Sequence, residues 1–340
     1  MANIHILYYN FKNTSGNHAG MAYLAKYLNR EIKEVTIHKH LMQEYKGGRI
    51  IGYFHSWYMT LKLLIGLKKT DKVFFLEYMT RGMGFQDLIA RRLKLFGKKN
   101  ELSGMVHLAG NHLKQLYFTE ELIRERLHSL DKVLVLGSSL KTYLDNLNVR
   151  PEVITTFHYV DTNFYKPELR RLEAPIAKGK RLQVIFMGSI KRNFELLKMI
   201  ILQSNENIDF HLCMGYSKVD LGVADRPNVN LYGFMEEEAL LALMQKCDVN
   251  LSVLQDTIGS NVITGSLAVG LVQVVSNVGS IKDYCSESNS CFCDQDADFI
   301  NALNYLSDNP EVMRQMKIEA TKAAAAFSIQ NFREEFKRLV

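Results

Sequence analysis

A chain of 340 residues is too long for one ordinary domain and suits two of roughly 150 residues each. Its 47% hydrophobic and 23% charged content are those of a globular protein, and five prolines leave no room for a proline-rich linker. The net charge of +6 is unevenly spread: residues 1–150 carry 23 Lys and Arg against 12 Asp and Glu, a net of +11, and the remainder carries 19 against 24, a net of −5.

The opening MANIHILYYNFKNTSGNHAG has no basic region followed by an apolar segment and a small-residue cleavage site. It is therefore read as the start of a cytoplasmic protein rather than a secretory signal. IHILYYN, β-branched and aromatic, predicts a first strand, and AGMAYLAKYLNR a helix after the loop FKNTSGNH. EVTIHK, KVFFLEY, SGMVHLAG, KVLVLGS and EVITTFHYV predict further strands, and FQDLIARRLKLFG and SLKTYLDNLN predict helices among them. Strand and helix in alternation imply a parallel sheet covered on both faces. The basic excess gathers in LKLLIGLKKTDK and RRLKLFGKK, which mix Leu, Ile and Phe with Lys and Arg. That texture fits either an amphipathic surface resting on anionic lipid or a solvated helix face. A phosphate-bearing substrate also fits the charge, whereas nucleic acid lacks any recognisable module. No run of about 18 apolar residues predicts a bilayer span.

The segment DTNFYKPELRRLEAPIAKGK is polar, holds two prolines and reads as a linker, after which the pattern restarts. RLQVIFMGS, DFHLCMGY, NVNLYGF, DVNLSVL and VQVVSN predict strands. NFELLKMIILQS, EEEALLALMQKC and VITGSLAVG predict helices, and two more close the chain. The expectation is a pair of doubly wound units, with ligands beyond the carboxyl ends of the strands and in a cleft between the domains. Five cysteines, three of them crowded in CSESNSCFC without paired C-x-x-C spacing, read as reduced thiols rather than a zinc site.

Six segments in order resemble one family across nearly the whole chain: DKVLVLGSSLKTYLDNLNV, FHYVDTNFYKP, VIFMGSIKRNFELL, NVNLYGFMEEEALLALMQKCDVNLSVL, SLAVGLVQVVSNVGSIKDY and NPEVMRQMKIEATKAAAAFSIQNF. They are similar to the retaining GT-B glycosyltransferases of family four. The resemblance implies an α/β chain of two Rossmann-like domains facing across a cleft. Residues 1–165 would bind an acceptor and 166–324 a nucleotide sugar, with 325–340 a helix packing back on the first domain. It further implies transfer from a UDP- or GDP-sugar, itself a substrate, with no separate cofactor and no metal. The acceptor would be a glycan or lipid-linked molecule of cell-surface polysaccharide synthesis, at the inner face of the plasma membrane.

A diphosphate donor calls for unpaired amides at a helix N-terminus and for cations nearby. Gly259 permits a tight turn, Ser260 or Asn261 can cap a helix, and Val262 begins it. Gly188 and Ser189 follow the predicted strand RLQVIFM, and Ser189 stands where the family has an Arg. Lys191 takes the place of the family's Lys, and Arg192 is the candidate replacement for the lost Arg. Gly16, with His18 close by, occupies the position of the family's glycine-rich first loop. His107 follows a predicted strand where the family has a His near the transferred sugar. Tyr216 and Phe234 each end a strand where a base can stack. His112, His158 and His211 read as structural.

Two glutamates that the family places around the helix start fall on Thr257 and Gly265. Asp256 and Thr264, each one residue away, are candidates to contact sugar and ribose in their stead. Two readings stand: an active transferase with relocated sugar recognition, or a non-catalytic GT-B partner or scaffold of a true transferase.

Overall fold

The computed structural model describes residues 2–11, 17–41, 48–80, 84–169 and 179–340. It divides into two compact units, Met1–Phe157 with Gln330–Val340, and His158–Ile329.

The first unit holds a parallel sheet of β1 (Ile4–Tyr9), β2 (Val35–His40), β3 (Lys72–Tyr78), β4 (Leu102–Val106), β5 (Lys132–Val135) and β6 (Glu152–Thr155). Their spatial order is β2-β1-β3-β4-β5-β6. KVFFLEY forms β3 across its full length, and Val73 to Tyr78 are all buried, which is what a strand covered on both faces requires. Helices α1 (Met21–Glu31), α2 (Gly48–Gly66), α3 (Gln86–Leu95), α4 (Gly110–Tyr117), α5 (Glu120–Leu127) and α6 (Ser138–Asn146) connect the strands. The strand order reverses direction between β1 and β3, which makes the carboxyl ends of these two strands the switch point of the unit.

In the second unit β7 (Leu182–Met187), β8 (Ile208–Cys213), β9 (Val229–Tyr232), β10 (Val249–Ser252), β11 (Val272–Ser276) and β12 (Ser290–Cys293) also run parallel. Their order is β12-β11-β10-β7-β8-β9, the dinucleotide-fold arrangement with its switch point between β7 and β10. Helices α7 (Phe194–Gln203), α8 (Glu237–Met244), α9 (Asn261–Val269), α10 (Asp296–Asp308) and α11 (Pro310–Ala326) flank it. Phe186, Phe210, Leu251, Val274 and Phe299 form its buried centre. Pro310 opens α11 at a position where the missing amide costs nothing, and Gly270 closes α9 at φ +83. The edge strand β12 contains Cys291 and Cys293, and the DQDAD stretch begins α10 with a Gln295–Asp298 capping box. The closing helix α12 (Ile329–Leu339) sets Phe336 edge-on against Phe74 of β3, 5.1 Å between ring centres.

Candidate functional site

At the second switch point the loops after β7 and β10 lie side by side. Arg192 bridges to Leu254, the Asn193 amide donates to Val253 O and the Gln255 amide to Lys191 O, both at 3.0 Å. The β7 loop turns through Gly188 at φ +84 and Lys191 at φ +55. A lysine in the left-handed region is strained, and it holds that conformation while its carbonyl is bonded across to the second loop.

The Arg192 guanidinium folds back under this turn. Its Nε and Nη2 donate to Met187 O at 3.2 and 3.0 Å, and its Nη2 lies 3.3 Å from where a Cβ on Gly188 would stand. Burial pushes its pKa down to about 10, so it remains protonated at neutral pH. No carboxylate pairs with it among the described residues. A part-buried guanidinium balanced by carbonyl dipoles alone retains a charge that an anion would neutralise.

The β10 loop supplies the amides. Asp256 Oδ1 accepts from the Thr257 amide at 2.8 Å, and Thr257 Oγ1 accepts from the Gly259 amide at 3.1 Å. Gly259 sits at φ +96, where a Cβ would come within 2.3 Å of the Tyr284 ring. Ser260 caps α9, its Oγ accepting from the Ile263 amide at 3.4 Å, and Thr264 N reaches Ser260 O. The amides of Asn261 and Val262, first in the helix, have no acceptor among the described residues. Gly188, Ser189, Lys191, Arg192, Asp256, Ser260, Asn261 and Val262 therefore share one end of the second sheet.

Thr264 has a different surrounding. It is fully buried, with its hydroxyl 3.3 Å from Ser260 O and 3.5 Å from Tyr159 O, which directs it into the fold. Gly265 is covered by Tyr165: a Cβ there would fit at 3.6 Å from the ring, but a longer side chain would run into it. Tyr165 Oη donates to Glu237 Oε1 at 2.8 Å, and both groups are buried. The Tyr165 ring, held at its hydroxyl by the Glu237 carboxylate of α8, thus covers the position where the resemblance expects a glutamate. Sequence reading missed this pair because Tyr165 sits in the linker motif and Glu237 in an acidic run that looks solvated.

Tyr216 after β8 and Phe234 after β9 stack face to face, 4.6 Å apart and 8° from parallel. Tyr216 is 69% exposed, so one face of the pair is open to a planar ligand. The Gly188 amide donates to Cys213 O, tying the start of the β7 loop to the strand that leads to Tyr216.

In the first unit His107 follows β4, and its Nε2 lies 2.6 Å from Leu76 O. A carbonyl can only accept, so Nε2 carries the hydrogen and Nδ1 the lone pair. Burial lowers its pKa, which keeps the ring neutral. His18 packs against Tyr23 at 4.8 Å, and Gly16 lies outside the described residues. The switch point itself presents a residue that was passed over within an apolar strand. Glu77 is buried, its Oε2 accepts from the Tyr9 amide at 2.8 Å, and burial raises its pKa to about 8. Beside it Tyr9 Oη accepts from the amides of Phe85 and Gln86 at 2.7 and 3.2 Å. His40, fully buried, has no hydrogen-bond partner on either ring nitrogen among the described residues, and burial lowers its pKa to about 3.

Two Rossmann-like units in one chain, each with parallel strands and a switch point, are the GT-B fold. Solved structures agree over the full length. Sucrose-phosphate synthase (tll1590) of Thermosynechococcus elongatus superposes with a TM-score of 0.77 at 12% identity, covering 100% of this chain and 98% of that one. Anabaena HepE in complex with UDP and glucose gives 0.71 at 11% identity, covering 99% of both chains. A UDP-forming trehalose-phosphate synthase of Burkholderia xenovorans with glucose-6-phosphate gives 0.68 at 11% identity, again covering 99% of both. At such identities the likeness speaks to the fold. No protein-family model and no curated protein matches the sequence.

Proposed function

We propose that the protein is a retaining glycosyltransferase that moves a sugar from a UDP- or GDP-sugar to a glycan or lipid-linked acceptor in cell-surface polysaccharide synthesis. The observation that carries this reading is the Arg192 guanidinium, held beside a helix that opens on two amides, with neither a carboxylate for the guanidinium nor an acceptor for the amides among the described residues. Cation and amides together suit a diphosphate, and they strengthen their hold as charge develops on the leaving group. Lys191 adds a second positive charge from the same turn, and the Tyr216–Phe234 stack offers a face to the base. The HepE structures that resemble this chain contain UDP and UDP-glucose, which supports a nucleotide-sugar donor here.

In the transfer, the bond from the anomeric carbon to the donor phosphate breaks and a bond to the acceptor oxygen forms on the same face. The acceptor proton passes to the departing phosphate. Catalysis then rests on positioning and leaving-group stabilisation, with no protein nucleophile. Arg192, Lys191 and the α9 amides take the charge-stabilising task, so no metal is needed for it. In this reading Asp256, Ser189 and Gly188 are assigned to donor contact, and His107 and His18 to the first unit's end of the reaction. Calorimetry with UDP and GDP in the presence of a chelator, followed by a nucleotide-sugar screen read by product mass, tests the reading. Micromolar binding of one nucleotide and chelator-insensitive transfer are expected. Absence of both binding and transfer refutes it.

A second reading is favoured by the Tyr165–Glu237 pair over Gly265: a GT-B protein that binds nucleotide without turnover and serves as partner to an active transferase. Nucleotide binding with no transfer or donor hydrolysis on any sugar tested would support it over the first.

A further inference from the structure

A helix that is apolar all round is ordinarily buried all round. Helix α2 departs from that rule. Gly52, Ser56, Met59, Thr60 and Leu63 are buried against the first unit. On the opposite side Ile50, Phe54, Tyr58, Leu61 and Ile65 recur at helical spacing and are all exposed, Phe54 at 66% and Ile65 at 86%. The helix is firmly seated rather than poised to turn its stripe inward. The Arg92 guanidinium of α3 lies 3.9 Å over the Trp57 ring and 5.2 Å over Tyr53, and its Nη1 donates to Ser56 Oγ at 2.7 Å.

The stripe runs into a second apolar patch. Lys98 Nζ donates to Leu67 O at 3.3 Å and Asn100 Nδ2 to Lys68 O at 2.7 Å, which joins the end of α2 to the end of α3. There Leu95 is 79% exposed and Phe96 is exposed beside it. Lys68, Lys69 and Lys99 stand exposed around them, with Arg49 and Lys62 on α2 itself. No Asp or Glu occurs from Gly48 to Thr70. A cavity of about 660 Å³ beside Leu95 adds Arg150, while its other cations are ion-paired, Lys94 with Asp131 at 2.8 Å, Arg124 with Glu121 at 2.9 Å and Arg91 with Glu125 at 2.8 Å. Among the described residues no helix is long and apolar enough to cross a membrane, so the geometry suits lying on a bilayer rather than spanning it.

We propose that the first unit rests on an anionic lipid surface, inserting the outer stripe of α2 with Leu95 and Phe96 while the surrounding lysines and arginines meet phosphate headgroups. Apolar insertion framed by basic residues is the combination that binds reversibly and prefers anionic lipid. The inference stands apart from the donor reading, because none of these residues belongs to the second unit.

Sedimentation of the full chain with vesicles tests it. We expect partition onto vesicles containing phosphatidylglycerol, little onto phosphatidylcholine alone, and release as salt rises. The double substitutions Phe54→Asp with Ile65→Asp and Lys68→Glu with Lys69→Glu should each lower partition by about tenfold or more. Both pairs are exposed, so thermal melts and nucleotide binding should stay at the wild-type level, which separates failure here from failure of the donor site. Wild-type protein that stays in solution with anionic vesicles overturns the proposal. Equal binding to neutral vesicles, or wild-type partition by the Asp variant, also overturns it. A lipid-free dimer that the Asp variant dissociates would assign the face to a second copy and overturn it as well.

Discussion

Beside the switch point between β1 and β3, Glu77 and His40 are buried and kept uncharged, whereas at the one between β7 and β10 a guanidinium stays charged and lacks a carboxylate partner among the described residues. Two switch points of doubly wound sheets thus carry two different electrostatic settings. Glu77 and His40 escape the cost of burial by shedding their charge, one by holding its proton and the other by losing it. Arg192 cannot follow them, because even a pKa lowered to about 10 leaves it cationic. A neutral environment rich in polar atoms suits a hydroxyl-bearing molecule, and a cationic one suits a diphosphate. That contrast fits the transfer proposed above.

Disturbing the backbone of the second switch point should have the largest effect. Gly259→Ala forces a Cβ toward Tyr284 and strains a left-handed residue, and the backbone strain alone costs about 1–3 kcal/mol. A lowered melting temperature together with loss of nucleotide affinity is expected; an unchanged melt would show that the loop yields freely. Arg192→Ala should weaken nucleoside diphosphate binding by about 10- to 150-fold, the range for one charged hydrogen bond. Calorimetry against Arg192→Lys tells charge from fork geometry, and unaltered affinity in the Ala variant would erase the cationic half of the contrast.

The neutral half is probed by pH. Between an unfolded Glu77 pKa near 4.5 and a folded value of about 8 the native state holds more protons than the unfolded one. Stability contributed by the protonated carboxyl is therefore lost as pH rises through this window, by about 1.4 kcal/mol per pH unit. Glu77→Gln should flatten that slope in denaturant titrations across the same range. The smallest effect belongs to Lys191→Gly, which relieves a left-handed lysine and removes a charge at once. Its unfolding free energy should rise by about 0.5–1 kcal/mol in denaturant titrations, while nucleotide affinity falls. Affinity that rises with stability would dismiss Lys191 from the anion site.

Much of the fold was legible because β-branched and aromatic runs fill strands covered on both faces. KVFFLEY and VQVVSN needed no tertiary help to be recognised, and GSNV followed by an apolar helix announced the capped start of α9. Helix α2 was harder to see, since it is apolar on two sides and so has no clean amphipathic period. Edge strand β12, only SCFC long, is marked more by its cysteines than by alternation. Strand order lies beyond sequence reading altogether, and it is the order that gathers Lys191, Arg192 and Ser260 at one place. The pairing of Tyr165 with Glu237 over Gly265 joins residues 72 apart, a link that neither residue's neighbours suggest.

The hydrogen bonds between the β7 and β10 loops have a mechanical consequence. With Asn193 held to Val253 and Gln255 held to Lys191, the two loops respond to force as one lever. A ligand that draws on Arg192 also loads the turn leading to Ser260. Hydrogen exchange at the Asn193 and Gln255 amides, both already bonded within the protein, should accordingly slow in concert when a nucleoside diphosphate is added.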